Sequence, residues 1–394
     1  MIWTILHIAD ILLWLFLAAS GVYVAFFAIV SLFGEWKRSD KDEAVSATAH
    51  QSRFRFLVVF PAYREDAVIC NSVETFLHQT YPSELFQLVV VSDHMQADTN
   101  TWLADQRLTL LQPDLEKSSK AKALQMAMSS VSGDFTQVVI LDADNLVSPD
   151  FLSLLCSSCA KGYKAIQCHR TAKNSDNDIA ALDGLSEEIN NTIFRKAHNI
   201  IGLSSALIGS GMCFDYAWFK ENVALLDSAV EDRELEALLL RQRIFIKYEE
   251  NIHVKDEKVS SQDNFQRQRL RWMTGQVQSL IQMLPHLPEA FLSGNINYID
   301  KTIQQMLIPR SLLLTGTVFF AITVTLIHPA WSIKWWFLLA SIILAILIAI
   351  PSQLRTFALL QRVTSLPHLA WHMLRNIFHI DKNNKDFLHT THDK

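Results

Sequence analysis

The stretch over residues 138–149, VVILDADNLVSP, constrains this chain more than any other. An apolar, β-branched run enters Asp142-Ala143-Asp144 and Asn145 and then meets Pro149, the pattern of a fully buried strand that ends in a polar turn. Both carboxylates then leave the sheet at a strand's C-terminal end. Open α/β sheets bind ligands along that edge, and two Asp there are placed to hold a divalent cation against a phosphorylated substrate. Taken alone, the triplet is better explained as a strand closure that caps the next helix.

The neighbouring sequence supplies the context. Residues 54–60 form an apolar strand pattern broken by Pro61-Ala62-Tyr63-Arg64-Glu65, helical periodicity takes over across 67–78, and a second strand over 85–91 ends at Ser92-Asp93-His94. This order predicts an α/β fold, a mostly parallel sheet with crossover helices, and it puts three polar turns on one sheet edge. That convergence favours a nucleotide site. The sequence has no GxGxxG and no GxxxxGK[ST], so neither a dinucleotide fold nor a P-loop is supported.

Half of the chain is hydrophobic, 50% by count, and the excess lies at its two ends. Residues 11–33 carry no charge and are long enough to span a hydrocarbon core. A cleaved signal peptide with Ala18-Ala19-Ser20 as processing site is the competing reading, but no basic segment precedes the run and apolar residues continue past it. An uncleaved anchor is expected, and Lys37 and Arg38 after it place the next part of the chain in the cytoplasm, at an inner membrane. Two further runs, 312–327 and 335–350, reach spanning length with their apolar flanks. Arg310, Arg355 and Arg362 set their outer ends in the cytoplasm, with 328–334 as an external turn. The expected layout is an anchor and basic flank (1–38), a linker (39–52), a cytoplasmic α/β domain (53–285), an interfacial segment (286–308), two spans (309–355) and an amphipathic helix with a polar tail (356–394). Membrane lipid is therefore an expected partner.

A net charge of -5 and the lack of a basic stripe argue against nucleic acid as a partner. The five cysteines are scattered and odd in number, which points to a reducing compartment, and Cys156 and Cys159 fall inside a helical pattern as packed thiols.

Pro61-Ala62-Tyr63-Arg64-Glu65, Ser92-Asp93, Lys120-Ala121-Lys122-Ala123-Leu124, Asp142-Ala143-Asp144, Glu231-Asp232 and Gln268-Arg269-Leu270-Arg271-Trp272 occur in an order that resembles the processive membrane branch of family 2 glycosyltransferases. That branch includes cellulose, chitin, hyaluronan and poly-N-acetylglucosamine synthases. The resemblance implies a GT-A-type domain that transfers sugar from a UDP-sugar with inversion. It assigns Asp142 and Asp144 to Mg²⁺ or Mn²⁺ on the diphosphate, and Pro61, Tyr63, Glu65 and Asp93 to the nucleoside. Lys120 and Arg271 go to the diphosphate, although Gln125 stands where the family's lysine motif ends in Asn. Asp232 becomes the general base, and Gly211, Gln268, Trp272 and Glu231 contact the acceptor.

Several of these residues have simpler readings in isolation. Glu231-Asp232 opens a helix over 233–243, whose N-terminus favours carboxylates in any case. The helix over 263–283 would show a basic face through Arg267, Arg269 and Arg271. In the stretch from Leu207 to Phe214 the glycines could serve tight packing alone, and His169-Arg170, after a strand over 164–168, could lie near the acceptor or phosphates, although any one His is more often satisfied or solvent-facing. Three spans are also few beside cellulose synthase. Self-association, a partner export subunit, or transfer to a lipid-linked acceptor as in ceramide glucosyltransferase-like enzymes would each account for that. A catalytically silent export scaffold is the reading from another class, and retention of every expected catalytic side chain argues against it.

Overall fold

The computed structural model describes residues 1–34, 53–115, 117–228, 230–259 and 261–355. The expected linker, the Lys37-Arg38 flank and the C-terminal amphipathic helix lie outside the described residues.

Eight strands form one mixed sheet: β1 (Phe56–Tyr63), β2 (Phe86–Asp93), β3 (Thr109–Leu111), β4 (Gln137–Ile140), β5 (Leu146–Val147), β6 (Ala165–Ala172), β7 (Met212–Asp215) and β8 (Ile246–Asp256). Their spatial order is β3-β2-β1-β4-β7-β6-β8-β5. The pairs β1–β2, β1–β4, β2–β3 and β6–β8 are parallel, whereas β7 runs antiparallel between β4 and β6, and β5 antiparallel along β8. This is the expected α/β sheet with helices on both faces.

The alternation of strand side chains builds both layers. Leu57, Val59, Val138 and Ile140 face the helices Lys120–Ser130 and Glu231–Arg241 through Leu124, Ala127, Leu235 and Leu239. Phe56, Val58, Phe60, Val139 and Leu141 face the helices Ile69–Leu77 and Phe151–Ala160. Burial on both sides is why these strands read as unbroken apolar runs.

β1 extends three residues past its expected end at Phe60, through Pro61 to Tyr63. Proline is tolerated in this interior strand because pairing with β4 has already ended at Val59↔Ile140, leaving only β2 alongside. β6 likewise runs beyond 168 and carries His169 and Arg170 inside the strand. Its register with β8 shifts at Cys168/His169, so that Ala172 comes opposite Asp256.

Three helices, Ile2–Val30, Arg310–Ile327 and Pro329–Ala349, are long and apolar enough to cross a membrane. They pack on one another through Leu17, Leu313, Ala321, Trp335, Leu338 and Ile342. The external turn expected over 328–334 contracts to His328, because Pro329 opens the next helix at a position where its missing N–H is no loss. Lys334 therefore lies within the helix and pairs with Asp10. Toward their other ends, Val24, Phe27, Ala28, Ala345 and Ala349 pack on Ile189, Ile193 and Ala197 beside the sheet.

Gly21 marks a tight contact between the first and third of these helices, since a Cβ there would stand 2.9 Å from Leu338 Cδ1 and 3.4 Å from Ile342 Cγ1. Gly21→Leu should cost about 1–3 kcal/mol of stability through overpacking, read as a lowered Tm of the purified protein. Gly34→Leu, at a position where no described residue lies within 4 Å of a Cβ, should leave the Tm unchanged.

Candidate active site

β1 and β2 end in register, Tyr63 opposite Asp93. Each leads into a residue in the left-handed region, Arg64 and His94, both at φ 56°. The Arg64 N–H donates to the Asp93 carbonyl at 3.1 Å, locking the two turns together. Such non-glycine conformations cost energy and collect at functional sites. Asp93 is buried and pairs with His94 Nδ1 at 2.6 Å, and the His94 ring meets Tyr63 edge-on at 5.5 Å. Pro61, Tyr63 and Asp93 thus share one strand-end corner. Glu65 opens the turn that leads into the helix Ile69–Leu77, its carbonyl accepting from the N–H groups of Val68 and Ile69.

Asp142 and Asp144 come directly after β4, as expected. The pairing of β5 with β8, Leu146↔Lys255 and Val147↔Val254, brings a third carboxylate to them. Ligand oxygens of Asp142, Asp144 and Asp256 all lie within 4.8 Å of one another. Asn145, 1% exposed, organises the group. Its Oδ1 accepts from the Asp142 N–H at 2.9 Å, and its Nδ2 donates to Asp144 Oδ1 at 3.2 Å and Asp256 Oδ1 at 3.3 Å. Asp144 Oδ2 also accepts from the Glu257 N–H at 2.7 Å. Three hard oxygen donors from two chain segments suit Mg²⁺ or Mn²⁺.

Sequence reasoning does not single out Asp256 or Asn145. The one signal is that β8, like β2, ends in Asp, and β5 is too short to show a pattern. Behind Asp256 lies a buried ionic cluster. Lys258 Nζ donates to Asp256 Oδ2 at 2.8 Å and pairs with Glu187, while Arg170 Nε donates to Glu187 Oε1 at 2.6 Å. Burial alone would raise the Glu187 carboxyl, but Arg170 and Lys258 outweigh it and hold its pKa below the usual carboxylate value. Arg170 also donates to the Ile208 carbonyl at 3.2 Å, so this cluster reaches the loop before β7. Strand β6 thus places Arg170 inside this network. His169, beside it, is satisfied by Glu188 at 3.0 Å and Tyr248 at 2.9 Å.

Lys120 joins the acidic centre to the Glu231-Asp232 segment. Its Nζ donates to Asp142 Oδ1 at 2.5 Å and to the Gly209 carbonyl at 2.6 Å, and lies 3.3 Å from Glu231 Oε1. Burial lowers the pKa of this ammonium, yet Asp142, Glu231 and Asp232 together raise it above its ordinary value. Asp232 stands close as well. A Cβ on Gly209 would lie 3.7 Å from both Asp232 Oδ2 and Lys120 Nζ. Gly209, rather than the expected Gly211, borders these groups. Gly211, at φ 64°, instead packs into the sheet, where a Cβ would come 2.9 Å from Val254 Cγ2. Gln125, at the family's Asn position, donates to the Val223 and Leu226 carbonyls at 3.1 and 2.9 Å and so fixes the segment leading to Glu231.

Glu231 and Asp232 form the first turn of the helix Glu231–Arg241, which begins two residues earlier than the expected 233. Behind them runs the helix Gln262–Met283, and Gly275 meets Val230 so closely that a Cβ would stand 2.5 Å from Val230 Cγ1. This contact carries Gln268, Arg271 and Trp272 on a helix braced against the Glu231–Asp232 segment. Gln268 Oε1 is buried with no hydrogen-bond partner among the described residues. Arg269 does not lie on an open basic face: it pairs with Asp183 and stacks 4.6 Å from the Trp272 ring and 4.8 Å from that of Phe265.

A profile described as glycosyl transferase family group 2 matches residues 137–350, which include the acidic triad, Glu231-Asp232, Gln268 to Trp272 and two of the apolar helices. The chain belongs to this family. A search of curated proteins gave no match. Among solved structures, this glycosyltransferase is similar to the mannosyltransferase PcManGT from Pyrobaculum calidifontis in complex with GDP-Man and Mn²⁺, with a TM-score of 0.56 and 16% identity over 95% of this chain and 99% of that one. S. aureus TarS 1-349 gives a TM-score of 0.43 and 14% identity over 83% and 89%. Glucosyl-3-phosphoglycerate synthase from Mycobacterium tuberculosis, in complex with Mn²⁺, UDP and glucosyl-3-phosphoglycerate, gives 0.38 and 18% over 55% and 76%. At these identities the likeness is one of fold.

Glu231 carries a titration signature that can be measured on this glycosyltransferase. Burial pushes its carboxyl up to about 7 from 4.5, against the attraction of Lys120 and reinforced by repulsion from Asp232. A folded-state pKa above the unfolded one costs nothing below the unfolded value and removes stability as pH rises toward the folded value. Glu231→Gln should therefore leave stability unchanged near pH 4 and raise it increasingly up to pH 7, read as a growing difference in Tm between variant and wild type. Scanning calorimetry of both proteins across this range checks the sign.

Proposed function

We propose that the chain is a membrane-bound, metal-dependent, inverting glycosyltransferase that moves a sugar from a UDP-sugar to a growing surface or secreted polysaccharide. The observation that carries this reading is the meeting, through Lys120, of the Asp142/Asp144/Asp256 triad with Glu231 and Asp232. Asp142, Asp144 and Asp256 would hold Mg²⁺ or Mn²⁺. Bound there, the cation would neutralise negative charge on the departing diphosphate.

The protein's own groups account for the rest of the transfer. Pro61, Tyr63, Glu65 and Asp93 seat the nucleoside at the β1–β2 corner. Lys120 and Arg271 bind the diphosphate and stabilise its developing charge. Gln268, Trp272 and Glu231 orient the acceptor, the unpartnered Gln268 Oε1 being an acceptor for a sugar hydroxyl. Asp232 takes the proton of the attacking hydroxyl as its oxygen bonds to the anomeric carbon, and the electron pair of the breaking C–O bond leaves with the diphosphate. A single carboxylate base and one displacement invert the anomeric centre. A carboxylate is a weak base toward an alcohol, so much of the rate must come from positioning.

The three apolar helices would anchor the domain, with the catalytic side facing the cytoplasm. Leu17, Leu313, Trp335 and Ile342 fill the space between them. That filling favours a second reading of the acceptor: a lipid-linked sugar presented from the membrane, or a polymer led out by a second copy or a partner subunit.

Purified protein should release UDP from at least one donor in a panel of UDP-sugars, with GDP-mannose included because the similar mannosyltransferase binds that nucleotide. Asp232→Asn should lower transfer about a hundredfold or more, and unchanged activity would remove Asp232 as the base. Product size separates polymer from glycolipid. Asp256→Ala should raise the Mn²⁺ concentration needed for half-maximal rate about tenfold or more; an unaltered Mn²⁺ titration would exclude it from the metal site.

A further inference from the structure

The helix that presents Asp232 is held from behind by a buried polar chain that reaches the N-terminal apolar helix. Glu236, one turn beyond Asp232, is 4% exposed. Its Oε2 accepts from the Leu207 N–H at 3.1 Å, and its Oε1 faces Lys301 Nζ at 2.5 Å in an ion pair. Lys301, itself 2% exposed on the helix Ile296–Met306, donates to Gln304 Oε1 at 2.6 Å. Gln304 Nε2 donates in turn to Asp300 Oδ2 at 2.8 Å. Tyr23, on the helix Ile2–Val30, donates its hydroxyl to Asp300 Oδ1 at 2.7 Å and stands 2.9 Å from His198 Nε2. The His198 ring is fully buried, stacks on Phe27 at 3.7 Å, and places Nδ1 2.7 Å from the Ile193 carbonyl in a π-helical turn.

This chain ends on both halves of the reacting centre. Glu236 fixes the helix whose first turn is Glu231 and Asp232, and through Leu207 it fixes the segment whose Gly209 carbonyl receives Lys120. An apolar contact in its place would tolerate sliding, and burying an ion pair is costly compared with burying apolar groups of the same volume. Directional bonds to two segments at once specify where those segments stand, and transfer falls steeply when a reacting group is misplaced by an ångström.

We propose that Lys301 is a positioning residue for the transfer step, and that Tyr23 communicates the position of the N-terminal apolar helix to Asp232 through it. This rests on Asp232 being the base. Activity then depends on how the apolar helix sits against the domain, although Tyr23 and Lys301 touch neither donor nor acceptor.

The test uses the full chain in lipid nanodiscs with a donor found active for the wild type. Tyr23→Phe removes one hydroxyl and should lower kcat about fivefold while donor KM and the Mn²⁺ titration stay unchanged. In an Asp232→Asn background it should have no further effect. An unchanged kcat, or an equal fractional loss in both backgrounds, would overturn the proposal. If Asp232→Asn is itself fully active, the base assignment fails, and that result is distinct from either. Lys301→Met alone leaves Glu236 buried without its partner, so the paired variant Lys301→Met/Glu236→Gln separates folding from positioning. The paired variant should keep the wild-type Tm yet lose about tenfold or more in kcat; recovery of both would show the chain to be structural only.

Discussion

Like charges repel, and this fold gathers Asp142, Asp144, Asp256, Glu187, Glu231 and Asp232 around one edge of a sheet. The arrangement holds together only because buried cations are interleaved with them. Lys120 sits among Asp142, Glu231 and the Gly209 carbonyl, and Lys258 with Arg170 sits among Asp256 and Glu187. Each cation comes from a different segment from the carboxylates it joins, apart from Lys258 beside Asp256. The electrostatic requirement therefore doubles as a tertiary constraint. Removing one partner would leave an uncompensated charge where the site must be most exact in shape.

Much of this was legible in the amino-acid order. The apolar runs that enter Asp93 and Asp142 announce strands buried on both faces, and their shared polar endings place them on one edge. Glu231-Asp232 and the 268–272 segment could be put at a helix start and along a helix face. Two things were not legible. β5 has two residues, below any periodic pattern, and β8 alternates charged with apolar residues, so nothing in the sequence brings Asp256 to Asp142. The ionic cluster of Arg170, Glu187 and Lys258 depends on the register shift at Cys168/His169, a tertiary event without a local signature. Pro61 misled in the opposite way, ending a strand on paper that continues in the sheet because its neighbour β4 stops first.

The apolar helices also had a clear compositional signal, yet what they contribute beyond anchoring lies in polar residues that interrupt them. Ser20 accepts from the Ile308 N–H at 3.2 Å, and Tyr23 enters the His198–Asp300 group. In an apolar helix a hydroxyl is costly unless it is paired. Here the partners are His198 of the domain and Asp300 and Ile308 of the segment that follows it, rather than neighbouring spans. The bundle and the catalytic domain are thus joined by directional bonds as well as by the packing of Phe27 on Ile193 and Ala197.

The two residue pairs between β5 and β8 have an evolutionary side. They are the last and smallest addition to the sheet, outside both large apolar layers except for Val147 and Val254. Cooperative units with so few contacts open at little expense to the rest of a fold. The third carboxylate itself stands at the end of β8, which β6 holds up to Ala172↔Asp256, so only the short β5 tie between β8 and the Asp142–Asp144 turn is open to such loosening. The pair Asp142 and Asp144, rooted in a central strand, has no such freedom.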